Sequence, residues 1–140
     1  MSVKSDLRAF ILNDAAIAAI ISTRCYSFPA PQKDKEYPYL MLSRIFENPG
    51  RNLVAPNERY RESWQIDCYA ETDDAAESLK ELVRERVDVC APFTMGSYSV
   101  LNMFVEDSAD LSELELKGGE DGIYRKQMEL IIIRKKTPNP

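Results

Sequence analysis

The chain has 140 residues, of which 44% are hydrophobic and 29% charged; this is the length and usage of one globular domain with its own core, not of a disordered chain. It contains no histidine, which excludes Ser-His and Cys-His nucleophilic catalysis and any histidine-ligated zinc. A net charge of -5 argues against nonspecific affinity for nucleic acid, and no apolar run approaches the ~20 residues that span a bilayer.

The N-terminus, Met1-Ser2-Val3-Lys4-Ser5-Asp6, leads into no apolar signal segment, so the chain is expected in the cytoplasm where it is made. Ser5 and Asp6 are expected to cap a first helix carrying Leu7, Phe10 and Ile11, and Asp14 a second carrying Ile17, Ile20 and Ile21. Cys25 to Phe28 reads as a short strand ended by Pro29 and Pro31, and Tyr39 to Phe46 as a longer one. Asn48-Pro49-Gly50 signals a turn. From Arg61 to Ala70 the pattern has period two: Trp64, Ile66, Cys68 and Ala70 share one face, and Ser63, Gln65, Asp67 and Tyr69 the other. Trp64 should therefore face the helices.

Thr72 and Asp73 stand where a helix from about Asp74 to Val89 should be capped. Its apolar stripe is Ala76, Leu79, Leu82, Val83, Val87 and Cys90, with Glu77–Lys80 and Glu81–Arg84 pairs on the wet face. Pro92 ends it. Ser99 to Asp107 sets Leu101, Met103 and Val105 against Asn102, Phe104 and Glu106. Ile123 to Arg134 sets Tyr124, Met128, Leu130 and Ile132 against Arg125, Gln127 and Glu129. The order is ααβββαββ, an α+β domain over residues 1–136 with an antiparallel sheet of about five strands and helices packed on one face. Residues 137–140 form a short Pro-containing C-terminal tail.

No catalytic, cofactor-binding or metal-ligating residue is assigned. Cys25, Cys68 and Cys90 are odd in number and widely spaced, and read as small buried hydrophobes. Asp67 is the best placed carboxylate for metal-assisted chemistry. Its place on the polar face of an alternating strand favours pairing across strands instead, with Arg125 or Lys126 as the partner. Gly118-Gly119-Glu120-Asp121-Gly122 lacks the Lys and Ser/Thr of a phosphate loop and reads as a turn. Tyr60, Tyr69, Tyr98 and Tyr124 are candidate edge or interface residues, and Arg134-Lys135-Lys136 is a solvated strand end. Glu106 to Asp121 holds seven acids and one base, Lys117. This segment reads first as a solvated loop, and the loops Asn48–Asn57 and Ser108–Gly122 are expected to become ordered on assembly.

Three stretches resemble the bacteriophage tail-completion, or head-to-tail joining (tail-terminator-like), proteins. They are Pro38-Tyr39-Leu40-Met41-Leu42-Ser43-Arg44, then Trp64-Gln65-Ile66-Asp67-Cys68-Tyr69-Ala70 running into Thr72, Ala75-Ala76 and Leu79, and finally Tyr124-Arg125-Lys126-Gln127-Met128-Glu129-Leu130. The resemblance implies a structural virion subunit with no enzymatic activity and no cofactor. It implies a ring, typically hexameric, in the tail or neck of the virion, that caps the tail tube and joins the tail to the head connector. Its partners would be itself, the tail tube protein and the head connector protein, with DNA only passing through and no membrane. In a ring through which DNA passes, the acidic segment would either rim the channel or, the favoured position, face a basic patch on a neighbour. Two other classes remain open on the residues alone: a small-molecule-binding α+β regulatory module, and a carboxylate-metal enzyme.

Overall fold

A computed structural model describes residues 3–27, 37–49, 59–109 and 124–135. The first helix, α1 (Val3–Leu12), buries Val3, Leu7 and Ile11 at four-residue spacing. The second, α2 (Ala15–Ile21), is capped as expected: the Asp14 carboxylate accepts from the Ala16 and Ile17 amides at 2.9 and 3.2 Å. At α1 the expectation fails. The helix starts before Ser5, so Asp6 lies inside it, and its carboxylate accepts from the Ser97 amide at 3.1 Å. Asp6 thus pins the Gly96-Ser97 turn. Gly96 has φ +59°, and a Cβ there would lie 2.3 Å from Asp6 Cγ, so both backbone and space require glycine.

The strands are β1 (Cys25–Ser27), β2 (Tyr39–Pro49), β3 (Arg59–Ala70), β4 (Phe93–Met95), β5 (Tyr98–Ala109) and β6 (Tyr124–Lys135), with α3 (Asp73–Val87) between β3 and β4. They form one sheet in the order β1-β2-β3-β6-β5-β4. The α+β class stands, but the sheet is mixed and six-stranded, and the order is ααβββαβββ. β1 runs parallel to β2, so the two do not form a hairpin. β4 was not expected because three residues between Pro92 and Gly96 are too few to show a period.

α3 packs across β3, β6 and β5, while α1 touches both β1 and β4, the opposite edges of the sheet. The sheet therefore curls around the helices. Its inner face supplies Leu40, Leu42, Trp64, Ile66, Cys68, Met128, Leu130 and Ile132 to the core, against Leu7, Ile11, Ile17, Ile21, Leu79, Val83 and Val87. Trp64 faces the helix layer, as its register requires, and is 1% exposed. On β5 a register shift between Val100 and Asn102 turns Val100 and Met103 inward and leaves Leu101 only partly buried, contrary to strict alternation.

α3 is capped by Thr72, whose hydroxyl accepts from the Ala75 amide, and opens with Asp73 and Asp74. It ends at Val87, two residues early, so Cys90 is not part of its stripe. Lys80 belongs to the buried side rather than the wet face, and Glu77 reaches Lys126 of β6 at 3.7 Å. Arg86 donates to the Phe10 carbonyl at the end of α1 and stacks on the Phe10 ring, which locks the two helices together. Among the described residues, no helix is long and apolar enough to cross a membrane.

Candidate assembly surfaces

The strongest polar feature lies on the inner face. Strand alternation that carries Trp64 and Ile66 inward carries Glu62 with them, and Glu62 is fully buried. Its Oε1 accepts from the Trp64 indole at 2.8 Å and lies 3.5 Å from Arg44 Nη1, while its Oε2 accepts from Arg134 Nε. The Arg134 guanidinium is held between the rings of Tyr60 and Tyr98, at 4.9 and 4.7 Å from their centroids. Arg134 is 4% exposed, which corrects its reading as a solvated strand end: it shares the inward register of Leu130 and Ile132. Lys135 is exposed, and Lys136 lies outside the described residues. Tyr60 and Tyr98 are half-buried, each with its ring against Arg134.

On the outer face Asp67 is 3% exposed and lies 3.4 Å from Arg125, one of the two partners expected for it. Gln65 donates to its other oxygen at 2.9 Å. Lys126, on the inner face, goes instead to Asp73 at 2.9 Å and to Glu77, at the start of α3. Beside Asp67 four tyrosines gather. Tyr39 stacks on Tyr69 at 4.7 Å and meets Tyr26 and Tyr37 at 5.7 and 5.3 Å. Tyr39 is buried, and desolvation pushes its phenol well above the ordinary range, so it stays neutral. Tyr69, a candidate edge or interface residue, is half-buried and completes this stack. Tyr124 is half-buried beside Ala70 at the start of β6. Among the described residues, no three Cys, Asp or Glu side chains converge as a metal site would require.

Both sides of the sheet end in long strands that are covered only in part. β2 pairs with β3 from Tyr39 to Pro49, yet on its other side β1 covers only Leu40 to Leu42. β5 pairs with β6 from Val100 to Ala109, yet β4 covers only Tyr98 to Val100. Among the described residues no strand pairs with Ser43–Pro49 on that side; on β5 the Met103 carbonyl accepts from the Val89 and Cys90 amides at 3.0 Å, and no strand pairs with Phe104–Ala109 there. Ile45 sits at the β2 register shift and is 52% exposed, the one exposed large hydrophobic residue among those described. Next to this edge lies a cavity of about 230 Å³ lined by Lys4, Leu42, Ser43, Arg44 and Trp64. Sequence patterning gave no sign of these edges, because edge status depends on which strands pair.

Cys25 and Cys68 are buried, as expected, and burial pushes the Cys25 thiol up to about 12 and Cys68 further. Cys90 is exposed, contrary to expectation. It follows the helix end in a left-handed conformation, and its thiol, bonded to Asp88, is shifted upward by that contact. The expected loops begin later than the turn signals suggest, since β2 runs through Pro49 and β5 through Ala109. Residues 50–58 and 110–123, including Gly118-Gly119 and most of the acidic segment, lie outside the described residues.

No curated protein matches the chain in sequence. Among solved structures, a chain of the "Virion of native gene transfer agent (GTA) particle" is similar in fold, with a TM-score of 0.76 at 11% identity. The match covers 96% of this chain and 95% of that one. The profile of one family, "Tail completion protein gp17", matches residues 5–118, from α1 through the β5 strand and into the acidic segment. This is the family to which the three resembling stretches pointed, and the chain belongs to it: it is a phage tail-completion protein.

Proposed function

We propose that the protein acts as a closed ring of identical subunits, six in number as the family resemblance implies. The ring caps the end of the tail tube and joins the tail to the head connector. The observation that carries this reading is the pair of partly covered strands on opposite sides of one sheet. β2, β3, β6 and β5 are successively antiparallel, so β2 and β5 run in opposite senses. When copies are related by rotation, the β5 edge of one meets the β2 edge of the next as an antiparallel pair. Two different edges meeting make a heterologous contact, the kind that closes a ring. Ile45 supplies an apolar contact at that seam. The net charge of -5 suits a subunit past which DNA moves without being held.

Removing the gene from a producing strain should leave filled heads and separate tails, and adding the purified protein to such a lysate should restore joined particles. Joined particles formed without the protein, or a lysate that the protein does not rescue, would contradict the joining role.

A further inference from the structure

We infer that the seam between copies is staggered by two residues, so that Ala109 of one subunit stands opposite Ser43 of the next and Phe104 opposite Asn48. This inference rests on the ring reading and adds the register in which the two edges meet. Within a subunit, Ser43 shares a rung of the sheet with Gln65, Glu129 and Asp107, and Phe46 shares one with Ser63, Ile131 and Phe104. The two edges are covered at opposite ends of these strands. β1 pairs with Leu40 to Leu42, on one side of the Ser43 rung, whereas β4 pairs with Tyr98 to Val100, beyond the Phe104 rung on the other. The turn after α3 lengthens the second cover, because the Val89 and Cys90 amides both donate to the Met103 carbonyl at 3.0 Å.

These covers select the shift. With no stagger, Ser108 and Ala109 of one copy would fall on the rungs of Leu42 and Met41, whose outer side β1 already occupies. An odd shift sets inward side chains beside outward ones across the seam. A shift of two seats β5 from Ala109 to Phe104 against β2 from Ser43 to Asn48, clear of β1 and β4. Hydrogen bonding agrees. The Leu40 amide donates to the Arg24 carbonyl beside β1, and alternation along β2 turns Arg44 and, past the register shift, Glu47 and Pro49 toward the same edge. Met103, its carbonyl already taken, then lies level with Pro49, which has no amide to donate. A shift of four would instead set the Val105 carbonyl against Pro49 and leave the Ser43 and Arg44 rungs without a partner at the seam. Two residues are about 7 Å along a strand, so a ring closed by such steps has its strands tilted from its axis.

Cysteine pairs read the register in the full chain, with Cys90→Ser removing the exposed thiol while Cys25 and Cys68 are buried. Directly opposed residues bring their Cα atoms to about 4.5–5.5 Å, within disulfide reach, and a mismatch of two residues adds about 7 Å along the strand. Ser43→Cys with Ala109→Cys should therefore link the assembly into covalent multimers on mild oxidation, about tenfold or more faster than Ser43→Cys with Asp107→Cys. Within one subunit these positions lie on β2 and β5, with two strands between them, so the bond forms only between copies. Sedimentation under reducing conditions shows that each variant still assembles; where Ala109→Cys does not, Phe46→Cys with Asp107→Cys reports the same stagger. Equal or faster linking of Ser43→Cys to Asp107→Cys overturns the stagger and leaves the edge pairing intact. A ring in which no pair links overturns the stagger and the edge pairing together, and a wild-type chain that never assembles removes the ring reading with them.

Discussion

Replacing Glu62 by Gln is expected to destabilise the fold by about 3–5 kcal/mol, because it leaves the Arg134 guanidinium buried without its countercharge. The mechanism is loss of compensation rather than loss of a favourable pair. Arg134 has been taken out of water, and the Tyr60 and Tyr98 rings offset only part of that cost. The double change Glu62→Leu with Arg134→Met removes both charges and should recover most of the loss. Urea unfolding followed by far-UV circular dichroism measures both variants, with an unchanged slope confirming that the same transition is compared. A loss below about 1 kcal/mol for Glu62→Gln would mean that Arg134 finds water when its partner is gone. A double variant no better than the single one would mean that packing around the pair, not charge, is the larger contribution.

Trp64→Ala should cost a similar amount, about 3–5 kcal/mol, for a different reason. The indole is among the largest fully buried side chains and lies in one core cluster with Leu79, Val83 and Val87. Its removal opens a cavity and also deprives Glu62 of a donor. Trp64→Phe keeps most of the volume and loses only that hydrogen bond, so it should cost about 1–3 kcal/mol. Because Trp64 is the sole tryptophan, native fluorescence reports on this site alone. Blue-shifted emission that moves red on unfolding is the expected result. Emission already red in the native protein would show the indole in water and contradict the packing.

The parts of the fold that were legible are those in which one physical rule acts alone. Period-two alternation located β3 and its two faces, and capping chemistry placed the starts of α2 and α3 at Asp14 and Thr72. The failures come where a charged residue obeys the geometry of its element against its own preference for water. Lys80 and Arg134 were read as solvated by residue type, yet helix period and strand register carry them inward. Glu62 could have been found by extending the Trp64–Ile66–Cys68 alternation one step back, an inference that its charge discouraged. Asp6 was misread for another reason. Its role is to bind the Ser97 amide, 91 positions away, and no local pattern encodes that. The Asp67–Arg125 pair was legible because both residues stand on the polar face of long alternating strands. The partly covered edges of β2 and β5 were not, since they follow from the pairing order of the whole sheet.

How two copies meet is tested most directly by electron microscopy of the purified assembly at side-chain resolution. The expected image is a closed ring in which β5 of each subunit lies antiparallel to β2 of the next, with Ile45 at the seam. A two-fold dimer joined β2 to β2, or particles that remain single subunits at every concentration tested, would contradict it.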